Sequence, residues 1–262
     1  MSSRTRSTVR LLSFGVLSLA VFALAGWLLP RAISLPKLAL RVASMSFTRD
    51  IDLTRHRMAA EESAAFVDEH MRTAKMHPDK FALLKTALNA VDRGRKGLYC
   101  EFGVYEGTTI NFIASQVSEE VHGFDSFEGL PEDWRSGFTK GAFKMNGLPA
   151  VGQNVRLYKG WFQDSLPGFR KDHPASIAFA HLDADLYSST KTVFEILGDR
   201  IVAGTVLQFD EFFNYPGWKF GEQRAFQEFA AARGIEVEYI GYVPTDEQVA
   251  LRVTRISTPS GN

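Results

Sequence analysis

The segment LYCEFGVYEGTT, Leu98 to Thr109, is an apolar run that leads into a turn with glycines at positions 103 and 107. The apolar run predicts a buried strand. A strand that enters a glycine-containing turn at the start of a helix presents backbone N–H groups to a nucleotide-like ligand. The spacing of the glycines decides which ligand this turn is suited to hold.

The spacing does not match the dinucleotide fingerprint GxGxxG, because Tyr105 stands where the second glycine is required. The remaining pattern, ExGxxxG, resembles the motif of class I methyltransferases, which bind S-adenosyl-L-methionine. In this interpretation Glu101 accepts hydrogen bonds from the cofactor's ammonium group, Gly103 permits close approach of the backbone, and Gly107 lets the following helix pack against the strand. Tyr105 and Thr108 complete the predicted contact. The alternative is an ordinary strand-turn-helix with incidental glycines.

Composition restricts the class of protein. The 262 residues suit one sizeable domain with an appendage. Lysine plus arginine and aspartate plus glutamate number 30 each, so no basic excess favours nucleic acid as a partner. Cys100 is the single cysteine, which excludes an intrachain disulfide and a cysteine-built zinc site.

The N-terminal region differs in kind from the rest. LLSFGVLSLAVFALAGWLL, Leu11 to Leu29, is a run of 19 residues without a charge, about the minimum that spans a bilayer as a helix. It predicts a membrane anchor over residues 1–30, a transmembrane helix followed by a connector over 31–57. A small-x-small site at Ala23 and Ala25 makes an export signal the competing interpretation. Basic residues flank both ends, so charge does not orient the segment. We expect a cytoplasmic catalytic domain because the predicted cofactor is made in that compartment.

From residue 58 to 262 the pattern is that of one α/β domain. Strand and helix signals alternate, which predicts a mostly parallel, Rossmann-like sheet with helices on both faces and an antiparallel finish. Strands are predicted at Leu98–Phe102, Val121–Phe124, Val155–Tyr158, Ile177–Leu182, Thr205–Phe209, Ile235–Ile240 and Val249–Val253. Helices are predicted at Ala59–Arg72, Asp79–Asp92, Thr108–Val117, Ser188–Leu197 and Glu222–Ala232.

Ligands of such sheets bind at the carboxyl ends of the strands, so the residues after each strand carry the functional prediction. Asp125 follows the second predicted strand, about 20 residues beyond the glycine turn, and is expected to bind the cofactor's ribose hydroxyls. Ser126 and Phe127 are expected to flank the adenine, and Trp161, after the third strand, to cover it. The alternatives are that Asp125 caps a turn and that Trp161 is a core aromatic.

Four carboxylates follow the next two strands. Asp183 and Asp185 come after one, and Asp210 and Glu211 after the other. Clustered carboxylates repel one another unless a cation or hydrogen bonds offset their charge. A divalent cation such as Mg²⁺, which prefers oxygen ligands, explains the cluster economically. We expect one of the four, Asp185, to point to solvent instead.

Five blocks in order, EFGVYEGTT, GFDSFEGLPEDW, KGWFQDSLP, HLDADLYSST and QFDEFFNYPGW, resemble the macrocin O-methyltransferase family, magnesium-dependent enzymes that methylate sugar hydroxyls of antibiotics. The resemblance covers residues 76 to 253 and implies a class I methyltransferase fold, S-adenosyl-L-methionine and bound Mg²⁺. It places Asp183 at the position of a metal ligand and base, and Asp210 and Glu211 at those of paired metal ligands. The family usually has two aspartates in that pair, so Glu211 is a departure.

These features predict a membrane-tethered O-methyltransferase that acts on a sugar, a glycosylated small molecule or a lipid-linked acceptor. A metal-bound hydroxyl has a lowered pKa, and a neighbouring carboxylate then removes its proton. His181 is a rival base but is expected to be a hydrogen-bonded core residue, and Tyr187, Tyr215 and Trp218 are expected to line the acceptor pocket or to pack. The alternative function is a non-catalytic cofactor-binding or scaffold protein. The sequence is also compatible with a homo-oligomer.

Overall fold

The computed structural model describes residues 49–94 and 96–257. The predicted anchor lies outside these residues, as does most of the connector. No helix within the described ranges is long and apolar enough to span a bilayer. The chain divides into two units, Met1–Arg55 and His56–Asn262, and the candidate site lies in the second.

The described residues alternate between helices and strands along most of their length. In chain order the elements are α1 (Ile51–His70), β1 (Lys75–Met76), α2 (Lys80–Ala90), β2 (Leu98–Phe102), α3 (Thr108–Gln116), β3 (Val121–Asp125), β4 (Val155–Lys159), α4 (Phe162–Asp172), β5 (Ile177–Leu182), α5 (Tyr187–Leu197), β6 (Val206–Phe209), α6 (Glu222–Arg233), β7 (Ile235–Tyr242) and β8 (Val249–Ile256). Short 3₁₀ turns at Gly198–Arg200 and Trp218–Phe220 precede β6 and α6.

The eight strands form one sheet in the order β1-β7-β8-β6-β5-β2-β3-β4. Only β8 runs antiparallel to its neighbours, β6 and β7. The predicted fold, a mostly parallel sheet with an antiparallel finish, is therefore confirmed. The strand order reverses between β2 and β5, which pair in parallel, and a crevice for ligands is expected at the carboxyl ends of strands beside such a reversal.

Apolar side chains on both faces of the sheet hold the helices in place. Every residue of β5 is buried, as expected for a central parallel strand. On one face the rings of Phe102 and Phe124 stack with centroids 5.2 Å apart. On the other, Ile110 of α3 is fully buried against β3, where a Cβ on Gly123 would lie 2.3 Å from its Cδ1. Burying one such side chain contributes roughly 1.5–3 kcal/mol.

Three elements differ from the prediction. Strand β1 has two residues, too few to show a period. Helix α4 was not predicted; it forms although Pro167 lies inside it, and its own residues Leu166 and Phe169 are buried. Helix α1 begins at Ile51 instead of Ala59, so the predicted domain start at residue 58 lies within a helix.

Candidate active site

A cavity of about 770 Å³ lies at the carboxyl ends of the strands, where the sequence predicted a ligand site. Residues that follow five different strands line it, including the long loop between β3 and β4, and so do residues of helix α2. The predicted site residues in its wall are Gly103, Tyr105, Thr108, Asp125, Ser126, Trp161, Asp183, Asp210 and Glu211. Glu101, Gly107 and Phe127 are not in the wall.

The glycine turn after β2 is shaped by the neighbouring strand. Gly103 has φ +93°, and a Cβ there would lie 1.7 Å from the backbone oxygen of Asp183. The close approach that requires this glycine is therefore made by the turn after β5. Gly107 has φ +80° and forms the N-cap of α3. A Cβ on Gly107 would meet Pro149 at 3.2 Å, so this glycine is explained by backbone conformation and the following loop more than by helix-strand packing.

Asp125 ends β3 and binds the same turn. Its Oδ2 accepts hydrogen bonds from the backbone N–H groups of Val104 and Tyr105, each at 2.8 Å, and Oδ1 accepts one from Phe127 at 2.6 Å. The carboxylate thus caps the turn, as the alternative interpretation held. Each oxygen retains acceptor capacity toward the cavity, and the contact with ribose hydroxyls stays a prediction.

The prediction for Phe127 is corrected by the structure. Its side chain is 2% exposed and packs with the apolar cluster that contains Val104 and Val155. The driving force for burying an aromatic ring of this size accounts for its turn toward the core. Ser126 and Trp161 do line the cavity, which is compatible with their predicted contacts.

Glu101 and His181 form a buried pair on adjacent strands. Both side chains are 0% exposed, and Nδ1 of His181 lies 2.8 Å from Oε1 of Glu101. Oε2 of Glu101 is buried with no hydrogen-bond partner among the described residues. Burial alone would lower the pKa of His181, but the carboxylates of Asp210 and Glu101 raise it to about 10. His181 is therefore the buried, hydrogen-bonded residue that was predicted, and its protonated ring is unsuited to act as a base.

The carboxylates after β5 and β6 converge. One oxygen each of Asp183, Asp185 and Glu211 lie within 4.8 Å of one another, and so do ligand atoms of His181, Asp183 and Asp210. Burial and the neighbouring carboxylates raise the pKa of Asp183 and Glu211 well above their ordinary values. Burial also raises the pKa of Asp210, but His181 and Lys80 outweigh it and leave the pKa lowered.

The expectation that Asp185 points to solvent is wrong. Asp185 lines the cavity and belongs to the cluster. Its backbone has φ +62°, and the N–H of Leu186 donates to the oxygen of Ala184 at 2.6 Å. This tight turn keeps Asp185 beside Asp183, and burial raises the pKa of its carboxyl to about 7.

Lys80 was missed by the sequence analysis. Its ammonium lies 3.3 Å from Oδ2 of Asp210, in the wall of the cavity. Lys80 is the first residue of α2, directly after Asp79, whose side chain accepts the N–H of Ala82 at 2.8 Å. A lysine after a helix cap carries no functional signal in the sequence, so only the packing of α2 reveals this contact.

Tyr187, Tyr215 and Trp218, which were expected to line the acceptor pocket or to pack, do not line the cavity. Tyr215 and Trp218 are 3% and 2% exposed and lie in the core, and the hydroxyl of Tyr187 donates to Glu228 outside the cavity. The aromatic wall comes from the loop between β3 and β4, through Trp134, Phe138 and Phe143.

A salt bridge connects this aromatic loop to the segment between β7 and β8. Arg135 binds both oxygens of Glu247, which lies between β7 and β8, at 2.8 and 2.9 Å. Its guanidinium lies 3.9 Å from the ring centroid of Trp134. The loop follows β3, and the quoted block GFDSFEGLPEDW extends into it as far as Trp134. No role was predicted for Trp134, Phe138 or Phe143.

Part of the cavity lining lies in a segment that matches a known protein family. Residues 135–243 match the family model described as macrocin-O-methyltransferase. The predicted family resemblance is confirmed. The matched segment contains the aromatic loop from Arg135 onward, the four carboxylates and helix α6.

One related protein and two solved structures extend the comparison. The chain is 28% identical over 144 residues to 8-demethyl-8-(2,3-dimethoxy-alpha-L-rhamnosyl)-tetracenomycin-C 4'-O-methyltransferase of Streptomyces olivaceus, a match that covers 45% of this chain and 54% of the relative. The chain thus spans about half the length of that relative. The calicheamicin methyltransferase CalS11 matches with TM-score 0.54 and 24% identity over 66% of this chain and 77% of its own. The O-methyltransferase NovP matches with TM-score 0.50 and 23% identity over 67% and 79%. These structures show that the fold is that of class I methyltransferases.

Proposed function

We propose that this protein is an S-adenosyl-L-methionine-dependent O-methyltransferase that acts on a hydroxyl of a sugar or glycosylated acceptor, with the help of a divalent cation. One observation carries the proposal. A single cavity brings the glycine turn after β2 together with four carboxylates after β5 and β6. A donor held at the turn and an acceptor held at the carboxylates would meet in it.

The residues around the glycine turn fit the proposed cofactor. Thr108, Ser126 and Trp161 offer hydroxyls and an aromatic face to the cavity. Beneath the turn, the unpartnered Oε2 of Glu101 is a buried acceptor that a bound ammonium, directly or through water, would satisfy. When bound, the cofactor supplies a methyl group on a sulfonium.

The carboxylate cluster fits a divalent cation. Oε2 of Glu211 is buried and has no hydrogen-bond partner among the described residues; Oδ1 of Asp210 also lacks a hydrogen bond, and Nε2 of His181 lies 3.6 Å from it. Unsatisfied buried carboxylate oxygens are costly, and a hard cation is a natural partner for them. Asp183, Asp210 and Glu211 would hold it, with Asp185 beside them. When bound, the cation supplies a positive charge that lowers the pKa of a sugar hydroxyl.

Asp183 is suited to accept the proton of that hydroxyl. Its carboxylate lines the cavity, and burial together with Asp210 raises its pKa well above the ordinary value. A carboxylate in the cavity wall is placed to take up the proton of an acceptor hydroxyl bound there. The aromatic wall of Trp134, Phe138 and Phe143 offers apolar faces to a sugar ring and limits the access of water. These residues would align the acceptor oxygen with the methyl group.

We extend the proposal to the acceptor and to the cell. The related protein from Streptomyces olivaceus is named for 4'-O-methylation of a rhamnosyl-bearing tetracenomycin, which supports a sugar hydroxyl as the acceptor. The apolar run Leu11 to Leu29 supports a membrane anchor, and the compartment in which the proposed cofactor is made supports a cytoplasmic domain. A lipid-linked sugar would then be presented close to the cavity.

A calorimetric and mass-spectrometric experiment tests the proposal. The protein is titrated with S-adenosyl-L-methionine, then with Mg²⁺, and then with a panel of nucleotide-linked and lipid-linked sugars. We expect cofactor binding without Mg²⁺ and Mg²⁺-dependent transfer of a methyl group to a sugar oxygen in at least one member of the panel. Cofactor binding without any cation binding would favour the non-catalytic alternative, and absence of cofactor binding would contradict the assignment of the glycine turn.

A further inference from the structure

Behind the carboxylate cluster, one buried side chain contacts both of the turns that carry it. Glu222 is the first residue of α6, is 0% exposed and does not line the cavity. Its Oε1 accepts hydrogen bonds from the N–H of Ala184 at 3.1 Å and from the hydroxyl of Thr190 at 2.9 Å. Its Oε2 accepts one from the N–H of Glu211 at 3.3 Å. A single carboxylate thus joins the turn after β5 to the turn after β6.

The two backbone N–H groups that donate to Glu222 belong to the turns that carry the candidate ligands. Ala184 stands between Asp183 and Asp185, and Glu211 follows Asp210. Hydrogen bonds to groups around a metal site orient its ligands, and their loss typically weakens metal binding 10- to 100-fold. The contact spans 38 residues on one side and 11 on the other, so no local element supplies it.

A carboxylate is a costly choice for a purely structural contact at this place. Burial penalises the charged form of Glu222, and with repulsion from the neighbouring carboxylates it raises the pKa of this side chain to about 8. Well-packed neutral side chains often hold a fold equally well at lower cost. A cation bound by the four carboxylates would offset the repulsion between them and Glu222.

We propose that Glu222 is a positioning residue for the cation site. It holds the turns after β5 and β6 at the separation at which Asp183 lies close to Asp210 on one side and to Asp185 and Glu211 on the other. This inference rests on the proposed function, because it assumes that the cluster binds a divalent cation.

The test is the affinity for Mn²⁺, a spectroscopically visible divalent cation, in the full-length protein and in two variants. Glu222→Gln keeps the length of the side chain but replaces one oxygen by an NH₂ group, so one turn loses its acceptor. We expect Mn²⁺ affinity to fall at least about tenfold, with affinity for S-adenosyl-L-methionine changed less than about twofold. Thr190→Val is the matched control, since it removes the third contact of Glu222 and leaves both turn contacts; its Mn²⁺ affinity should stay within about threefold of the wild type.

The outcomes separate this inference from the proposed function. Absence of Mn²⁺ binding by the wild type would overturn the cation site and the inference together. Wild-type affinity in a folded Glu222→Gln variant would overturn the inference alone. Glu222→Asp is a second variant, because the shorter side chain is unable to reach both turns and should show the same selective loss. If both Glu222 variants unfold while Thr190→Val stays folded, Glu222 is a residue of the fold and the inference is wrong.

Discussion

The ammonium of Lys80 lies 3.3 Å from Oδ2 of Asp210, across 130 residues of sequence. Burial alone would lower the pKa of Lys80, but Asp210 and Asp183 outweigh it and raise the pKa. Asp210 therefore already lies beside two positive groups, Lys80 and the His181 ring at 3.6 Å from its Oδ1, and a divalent cation that binds Asp210 would compete with them. A residue of helix α2 would therefore modulate the proposed cation site.

Replacing Lys80 by methionine should strengthen the binding of Mg²⁺. The substitution keeps an apolar stem of similar length and removes the competing charge, so the affinity for Mg²⁺ should rise about 3- to 30-fold, or roughly 0.7–2 kcal/mol. Calorimetry at fixed ionic strength measures the change. Lys85→Met, an exposed lysine on the same helix, is the control and should leave the affinity unchanged. Weaker binding in Lys80→Met would mean that Lys80 helps to hold the site and does not compete for it.

Asp183→Asn should abolish methyl transfer and spare the fold. The amide has neither the charge nor the basicity that proton removal requires, so the rate should fall roughly 10²–10⁴-fold. Because neighbouring carboxylates repel Asp183, the melting temperature should stay equal or rise. Transfer by mass spectrometry and affinity for S-adenosyl-L-methionine by calorimetry should be measured together.

Two comparisons sharpen the Asp183 test. Chelation by EDTA should reproduce the loss in the wild type, and added Mg²⁺ should restore it there but not in Asp183→Asn. Glu211→Asp should retain transfer, because aspartate is the residue the family usually carries at this position. Full transfer in EDTA would rule out the role of the cation.

Gly103→Ala should prevent stable folding, whereas Gly137→Ala should be tolerated. Both glycines have φ near +90°, so both substitutions carry a similar backbone cost of about 1 kcal/mol. A Cβ at Gly103 would lie 1.7 Å from the oxygen of Asp183, while one at Gly137 meets nothing within 4 Å. Urea denaturation of the two variants isolates the steric contribution. Equal stabilities would show that the turn after β5 moves away without cost.

Stability should fall as the pH drops from 6.5 to 4, partly because of His122. Burial first, and then His173, lower the pKa of His122 to about 4 in the folded protein, against an ordinary value of 6.5. Arg156 lowers it further and Glu120 raises it, while the hydroxyl of Tyr158 lies 3.2 Å from Nδ1. Between pH 6.5 and 4 the unfolded chain binds a proton at His122 more readily than the folded protein does. The contribution of His122 to stability is therefore complete above pH 6.5 and is lost as the pH falls to 4. Below pH 4 this group causes no further loss.

His122→Gln tests this contribution, because glutamine keeps a polar contact and does not titrate. The free energy of unfolding from urea titrations should lose about 1–2 kcal/mol of its pH dependence between pH 6.5 and 4, a figure reduced from the full shift for partial solvent screening. His70→Gln, at the end of helix α1 and half-exposed, is the control. An unchanged pH profile in His122→Gln would contradict the assignment.

Much of the fold follows from the sequence alone. The mostly apolar runs 98–102 and 177–182 coincide with β2 and β5 to the residue, because strands buried on both faces are largely apolar; their polar exceptions, Glu101 and His181, pair with each other. The carboxylates lie at the cavity because parallel strands end at one edge, so residues after them meet wherever the sheet forms. The five sequence blocks that carry the family resemblance lie at the carboxyl ends of successive strands, so they could be recognised in order along the sequence. Helix α4 was missed because Pro167 interrupts the pattern that signals a helix.

Only the tertiary structure decides which side chains complete the site. Lys80, Glu222 and the aromatic loop reach the carboxylates through packing between elements that are remote in sequence, and no local pattern encodes such contacts. Asp185 joins the cluster because of one left-handed backbone angle, and Phe127 leaves the site because a buried ring is more stable than an exposed one. Residue type and periodicity determine where strands end, whereas long-range sterics and charge determine what faces the space beyond them.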